Sequence, residues 1–159
     1  LDGGAHYYNT YETLDGKFVS IGSIEPQFYA ELRERVGLSD KDFDHQHEAA
    51  NWPDLTNKLA EIFKTKTRDE WDEILSGTDV CYAPVLTLDE AISHPHNKDR
   101  ETLIARDGVV QPNVAPRFSR TPSAIQGAPV TPGQHNDTAL QGWGFSDDEV
   151  EALKSGHIL

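Results

Sequence analysis

The sequence has no methionine and one cysteine, Cys81, among its 159 residues. A single thiol cannot close an internal disulfide, so no covalent cross-link holds the fold, and a reducing cytoplasm is the simplest setting. The chain opens on Leu-Asp-Gly-Gly, with neither a start residue nor a leader, which reads as a fragment of a longer protein. Basic charge is also scarce: 14 Lys and Arg face 27 Asp and Glu, for a formal net charge of −13. That deficit removes the basic footprint that nucleic acids require, so no nucleic-acid partner is expected. It also makes the chain a poor cradle for a polyphosphate, which would have to be gripped elsewhere. No apolar run approaches the roughly 20 residues of a membrane span, so a soluble chain without a membrane partner is expected. The length suits one domain with a real core, or a small domain with trailing segments.

What is present is organised around residues 14–37. Leu14-Asp15-Gly16 is a turn signal in which Gly16 takes the positive φ of a tight hairpin. From Phe18 to Ile24 the side chains alternate, with Phe18, Ser20, Gly22 and Ile24 on one side and Val19, Ile21 and Ser23 on the other, which predicts a strand. Pro26 suits the first turn of a helix, where its missing N–H would have no partner anyway. Phe28, Tyr29, Leu32 and Val36 then recur at helical spacing up to Gly37. Glu25 stands at the strand-to-helix corner. A carboxylate is favoured there by the free N–H groups of the first turn, so position alone leaves two readings open. Glu25 is a helix-start acid, or it is a catalytic carboxylate at the mouth of a cleft.

Residues 1–13 form a loop that becomes the first strand of the hairpin. After the helix, Asp40, Asp42 and Asp44 imitate the start of a calcium loop, but His45 replaces its Gly and Asn51 its closing Glu. His45 and His47 would face a metal together only on a strand, so the segment reads as a solvated loop and no metal is expected. Trp52-Pro53-Asp54 opens a helix with Leu55, Leu59, Ile62 and Phe63 as its apolar stripe. A second follows from the capping box Thr67–Glu70, with Trp71, Ile74 and Leu75 on one face. Val80 to Leu86 reads as a strand with Cys81 as a small apolar member, and Pro84 marks an edge or a bend. Thr87–Glu90 is another capping box. His94-Pro95-His96 is a break, and a brief helix is predicted at about 96–104. From Asp107, Gly108-Val109-Val110 reads as a strand, and prolines punctuate an extended segment. Two short helices end the chain, the second opened by the capping box Ser146–Glu149.

The predicted architecture is α+β. A small α+β domain spans 1–107, with a hairpin-containing sheet and packed helices. An extended Pro-rich linker follows at 108–133, and a helical C-terminal tail at 134–159 has little of its own to pack on.

Asp15-Gly16-Lys17-Phe18-Val19-Ser20-Ile21-Gly22 and Glu25-Pro26-Gln27-Phe28-Tyr29 together resemble the α-methylacyl-CoA racemase branch of the family III CoA-transferases, the CaiB/BaiF family. Val80 to Val85, Ile92 to His96, Pro129 to His135 and Trp143 to Val150 resemble it as well. The likeness covers essentially the whole chain. It implies the C-terminal part of such an enzyme, without the Rossmann-like N-terminal domain that binds most of the coenzyme A. The tail would pack on that missing domain. It also implies an interlocked homodimer with the Pro-rich segment as its tether, and an acyl-CoA substrate. No cofactor is required, and coenzyme A enters as part of the substrate thioester.

A racemase needs acid/base groups on both faces of an α-carbon and donors for the enolate oxygen. The resemblance implies an upstream His paired with Glu25 for one face and an upstream Asp for the other. Glu25 would be presented across the dimer interface, holding the imidazole's tautomer and raising its basicity. It matches Tyr8 and Ile24 to walls of the acyl pocket. A transferase of the same fold would use an upstream Asp as nucleophile, with a longer glycine-rich loop and no Glu at position 25. Here Gly3-Gly4 is short and Glu25 is in place. A non-catalytic dimerisation fragment is a third reading. The C-terminal Gly156-His157-Ile158-Leu159 lacks the Ser-Lys-Leu address, leaving the cytoplasm as the expected compartment.

Overall fold

A computed structural model of the protein describes residues 2–159. The fold is α+β, and the chain forms two compact units, Leu1–Ala91 and Ile92–Leu159. In the first unit, strands β1 (Tyr8–Glu12) and β2 (Phe18–Gly22) form the predicted hairpin. Gly16 adopts φ 72°, and Thr13 N–H donates to Lys17 O at 2.8 Å to close the turn. β3 (Tyr82–Val85) pairs antiparallel with β2, giving the order β1-β2-β3 with β2 in the centre. The alternation in β2 sorts as read from the sequence. Val19, Ile21 and Ser23 are buried, while Phe18 is exposed.

Helix α1 (Pro26–Val36) starts on Pro26 and ends at Gly37, whose φ of 74° lets its N–H return to the carbonyls of Arg33 and Glu34. It buries Tyr29, Leu32 and Val36. Helices α2 (Trp52–Phe63) and α3 (Arg68–Leu75) add Leu55, Leu59, Phe63, Trp71 and Leu75 to the same core. Aromatic rings join the layers. Tyr11 of β1 stacks on Phe63 of α2 at 5.1 Å between ring centres, and Phe63 meets Trp71 of α3 edge-on at 5.1 Å. Trp71 Nε1 also donates to Phe63 O at 2.8 Å, which locks the α2–α3 pair at its turn. Both bonds of the Thr67–Glu70 capping box are present. Arg68 is buried, and its guanidinium donates to both carboxylate oxygens of Glu90 at 2.8 Å and to Val85 O at 2.9 Å. The Glu90 carboxyl is accordingly held well below the usual range, by Arg68 first and by the Thr87 amide second.

Three local expectations change. Residues 39–51 contain two 3₁₀ turns, Lys41–Asp44 and Ala49–Asn51. The aspartates and both histidines of that stretch are exposed as expected, but Phe43 and Gln46 are buried. Cys81 lies outside β3. Its carbonyl accepts from Gly22 N–H at 2.9 Å, yet its φ of 52° turns the backbone away from the strand and leaves the side chain exposed. The predicted helix at 96–104 is shorter. After α4 (Leu88–Ser93), α5 covers only Pro95–Asp99, and Leu103–Arg106 forms a strand, β4. β4 pairs with β5 (Val109–Pro112) across Asp107 and Gly108, both at positive φ, which is the backbone a two-residue hairpin turn demands.

In the second unit no helix or strand lies between Pro112 and Asn136 among the described residues. Arg106 Nη1 donates to Ile125 O at 2.7 Å within that stretch. Helices α6 (Asn136–Gly142) and α7 (Asp147–Ser155) follow, α7 with a complete Ser146–Glu149 capping box. Val150 is buried, whereas Trp143 is 85% exposed. Among the described residues no helix is long and apolar enough to cross a membrane.

Candidate functional site

Chemistry-bearing residues gather where β2 turns into α1. Pairing along β2 ends at Gly22, and α1 begins at Pro26, leaving Ser23, Ile24 and Glu25 to make the corner. Glu25 is the N-cap residue by backbone geometry, with φ −70° and ψ 141°, and its carbonyl accepts from Tyr29 N–H at 3.0 Å. Its side chain makes no capping hydrogen bond and is exposed. Among the described residues the carboxylate has no hydrogen-bond or ion-pair partner. A helix-start acid that served the helix would bond to the amides of the first turn. This one does not, so the carboxylate remains available to a group from outside.

Two clefts adjoin the corner. A cleft of about 230 Å³ is lined by Asp2, Ala5, Tyr7, Tyr8, Ile24 and Trp52. Tyr8 and Ile24, both named from the sequence, therefore share one wall, and Glu25 follows directly from Ile24. The lining is largely aromatic and aliphatic, suited to an apolar group. A wider cleft of about 450 Å³ lies over the sheet between Tyr8, Asn9, Gly22 and Cys81. Tyr8 borders both. Its ring borders Gly22 at ordinary van der Waals distance, 3.5 Å from where a Cβ would stand. The exposed Cys81 thiol is raised above its ordinary range by partial burial first, then by the carboxylates of Glu25 and Asp79. It donates weakly to Asp79 O at 3.8 Å, and no base hydrogen-bonds it among the described residues.

The sequence reading missed two polar residues beneath the corner. His6 is fully buried, with Nε2 2.8 Å from Tyr29 Oη and Nδ1 without a partner among the described residues. Burial first, and the nearby His47 second, lower its pKa to about 4, so the ring is neutral at pH 7. Burial likewise pushes Tyr29 up to about 12. The second is Gln46, which is 8% exposed and donates from Nε2 to Ser23 O at 3.1 Å and to Ile24 O at 2.8 Å. Neither residue carries a periodic signal. A lone His in a Gly-rich entry loop and a lone Gln in an acidic run look alike whether buried or solvated. No group of three His, Cys, Asp or Glu suited to a metal occurs among the described residues.

The fold defined by this sheet, its helices and the following hairpin is shared with solved proteins. A CaiB/BaiF family protein from Brucella suis superimposes with a TM-score of 0.69 over 89% of this chain and 38% of its own, at 23% identity. The chain belongs to CoA-transferase family III, whose family model matches residues 1–136. It is 44% identical over 163 residues to the alpha-methylacyl-CoA racemase of Mus musculus, and 41% identical over 162 residues to that of Homo sapiens. Each alignment covers 100% of this chain and 42% of the relative, so the chain spans about two fifths of those proteins' length.

Proposed function

We propose that this chain is the C-terminal part of an acyl-CoA racemase, which epimerises 2-methylacyl-CoA thioesters by moving a proton at the α-carbon. The observation that carries this reading is Glu25. An exposed carboxylate with no partner among the described residues stands at a strand-to-helix corner, beside an apolar cleft walled by Tyr8 and Ile24. In this reading Glu25 accepts a hydrogen bond from an imidazole that another part of the assembly supplies. It holds that ring in one tautomer, oriented toward the α-carbon, and stabilises the imidazolium formed when the proton is taken. Tyr8 and Ile24 border the acyl group close to the reacting carbon. The acidic surface leaves the phosphates of coenzyme A to be bound elsewhere. The histidine, the second acid/base group and most of the coenzyme A site belong to the remaining polypeptide of an interlocked homodimer in the cytoplasm.

The test uses the full-length protein with a 2-methylacyl-CoA in deuterated water. Incorporation of deuterium at the α-carbon is the expected result. Glu25→Gln should lower that exchange by at least about 100-fold in a protein that still folds. Undiminished exchange in Glu25→Gln would remove the residue from the chemistry. Transfer of the acyl-CoA's coenzyme A to a free carboxylic acid, without exchange, would instead establish a transferase.

A further inference from the structure

The hairpin by itself does not fix the corner that presents Glu25. Ladder bonds end at Gly22 and helical bonds begin at the Glu25 carbonyl, so the carbonyls of Ser23 and Ile24 lie between two regular elements. Left without donors beside the core, each would carry a desolvation penalty. Around them the chain is tied down closely. Ser23 Oγ donates to Val80 O at 2.6 Å, and Ile24 N–H donates to Gly22 O at 2.8 Å. The two carbonyls themselves are served by one group, the side-chain amide of Gln46, at 3.1 and 2.8 Å. Only the NH₂ end of an amide can meet two carbonyl oxygens, so the orientation of this side chain is decided.

Gln46 is anchored in turn. Its own carbonyl accepts from Trp52 Nε1 at 2.9 Å, and Trp52 is the first residue of α2, whose Leu55, Leu59 and Phe63 are core. Trp52 also meets Tyr7 edge-on at 5.8 Å between ring centres. A continuous path thus runs from the core helix through Trp52 and Gln46 to the two peptides that precede Glu25.

We infer that Gln46 is a positioning residue for the Glu25 carboxylate, holding the β2–α1 corner in the one backbone geometry that aims it outward. This rests on the role given to Glu25 above. Gln46 touches neither substrate nor reacting atoms. Its effect is exerted through the main chain of residues 23 and 24, so its loss moves Glu25 together with Ile24 at the edge of the cleft.

The experiment takes the full-length protein with Gln46→Leu, which removes both donors, and Trp52→Phe, which frees the Gln46 carbonyl. Gln46→Asn keeps the amide but shortens its reach, and serves if Gln46→Leu fails to fold. Each is made alone and together with Glu25→Gln. For Gln46→Leu, α-deuterium exchange should show kcat reduced about 10- to 100-fold with a smaller change in KM, and Trp52→Phe, whose ring also lines the smaller cleft, should fall between it and the parent in kcat. On the Glu25→Gln background, Gln46→Leu should cost nothing further, because both act through one carboxylate. A kcat within about twofold of the parent, or losses that multiply in the double variant, would overturn the inference. Backbone amide exchange at Ile24, Glu25, Gln27 and Phe28 is read on every variant. Faster exchange in Gln46→Leu supports the anchor, and unchanged exchange overturns it, whatever the turnover. Full activity in Glu25→Gln alone would sink the catalytic reading of Glu25, and is thereby distinguishable from failure of the anchor.

Discussion

The two units of the chain spend their apolar residues differently. In Leu1–Ala91 the buried side chains form one cluster, from Ala5 on the entry loop through Val19, Leu32, Leu59 and Phe63 to Val80. In Ile92–Leu159, Val150 is the buried apolar residue, while Trp143, Phe145, Ile158 and Leu159 are exposed. The second unit is nonetheless well formed locally. Its hairpin turn has the required backbone, α7 has both bonds of its capping box, and Lys154 reaches Asp137 at 2.8 Å. In this unit local hydrogen bonds and turn chemistry accompany secondary structure that buries little apolar surface. They contribute far less stability than burial does, because each bond replaces one made with water.

That contrast is sharpest under truncation of large side chains. Phe63→Ala, in the first unit, should cost about 3–5 kcal/mol in urea unfolding. Trp143→Ala, removing a larger side chain from the second, should stay within about 0.5 kcal/mol. Equal losses would erase the distinction. Acid should also act on the first unit through His6. The folded state keeps His6 neutral down to about pH 4, whereas the unfolded chain protonates near 6.5. Between those values the unfolded state binds more protons. The contribution of His6 is therefore complete above about pH 6.5 and is lost as pH falls toward 4, on the order of 3 kcal/mol in all. Urea midpoints followed from pH 7 to pH 4 should decline less steeply in His6→Asn. A modest loss, at about 1 kcal/mol, is expected for Ser146→Ala. It should appear as faster amide exchange over residues 147–150, leaving the main unfolding transition of the first unit in place.

Much of the first unit was legible because its signals agree with each other. Asp15-Gly16, the alternation of β2 and Pro26 all mark the same boundaries, and they place Glu25 at a corner before any coordinates exist. The same dipeptide signal, Asp107-Gly108, was passed over. Leu103 and Ile104 were assigned to the end of a helix, and a four-residue strand shows too little alternation to contest that assignment. Positive φ at Cys81 leaves no trace in its apolar neighbours, so the sequence predicts a strand from Val80 to Leu86 where β3 covers only Tyr82–Val85. Gln46 was the least readable of all. Its importance lies in two carbonyls more than 20 residues earlier in sequence, and only the folding of its loop over the corner brings them together.

The three tryptophans of the chain occupy three environments: Trp71 is 2% exposed, Trp52 is half-buried, and Trp143 is 85% exposed. Intrinsic fluorescence can therefore follow separate parts of the molecule without any added dye. Trp71 should emit at the blue edge and report on the core between α2 and α3, and Trp143 should emit at the red edge and report on the end of α6. An object that later covers α6 would announce itself as a blue shift of that red component, at protein concentrations too low for most structural methods.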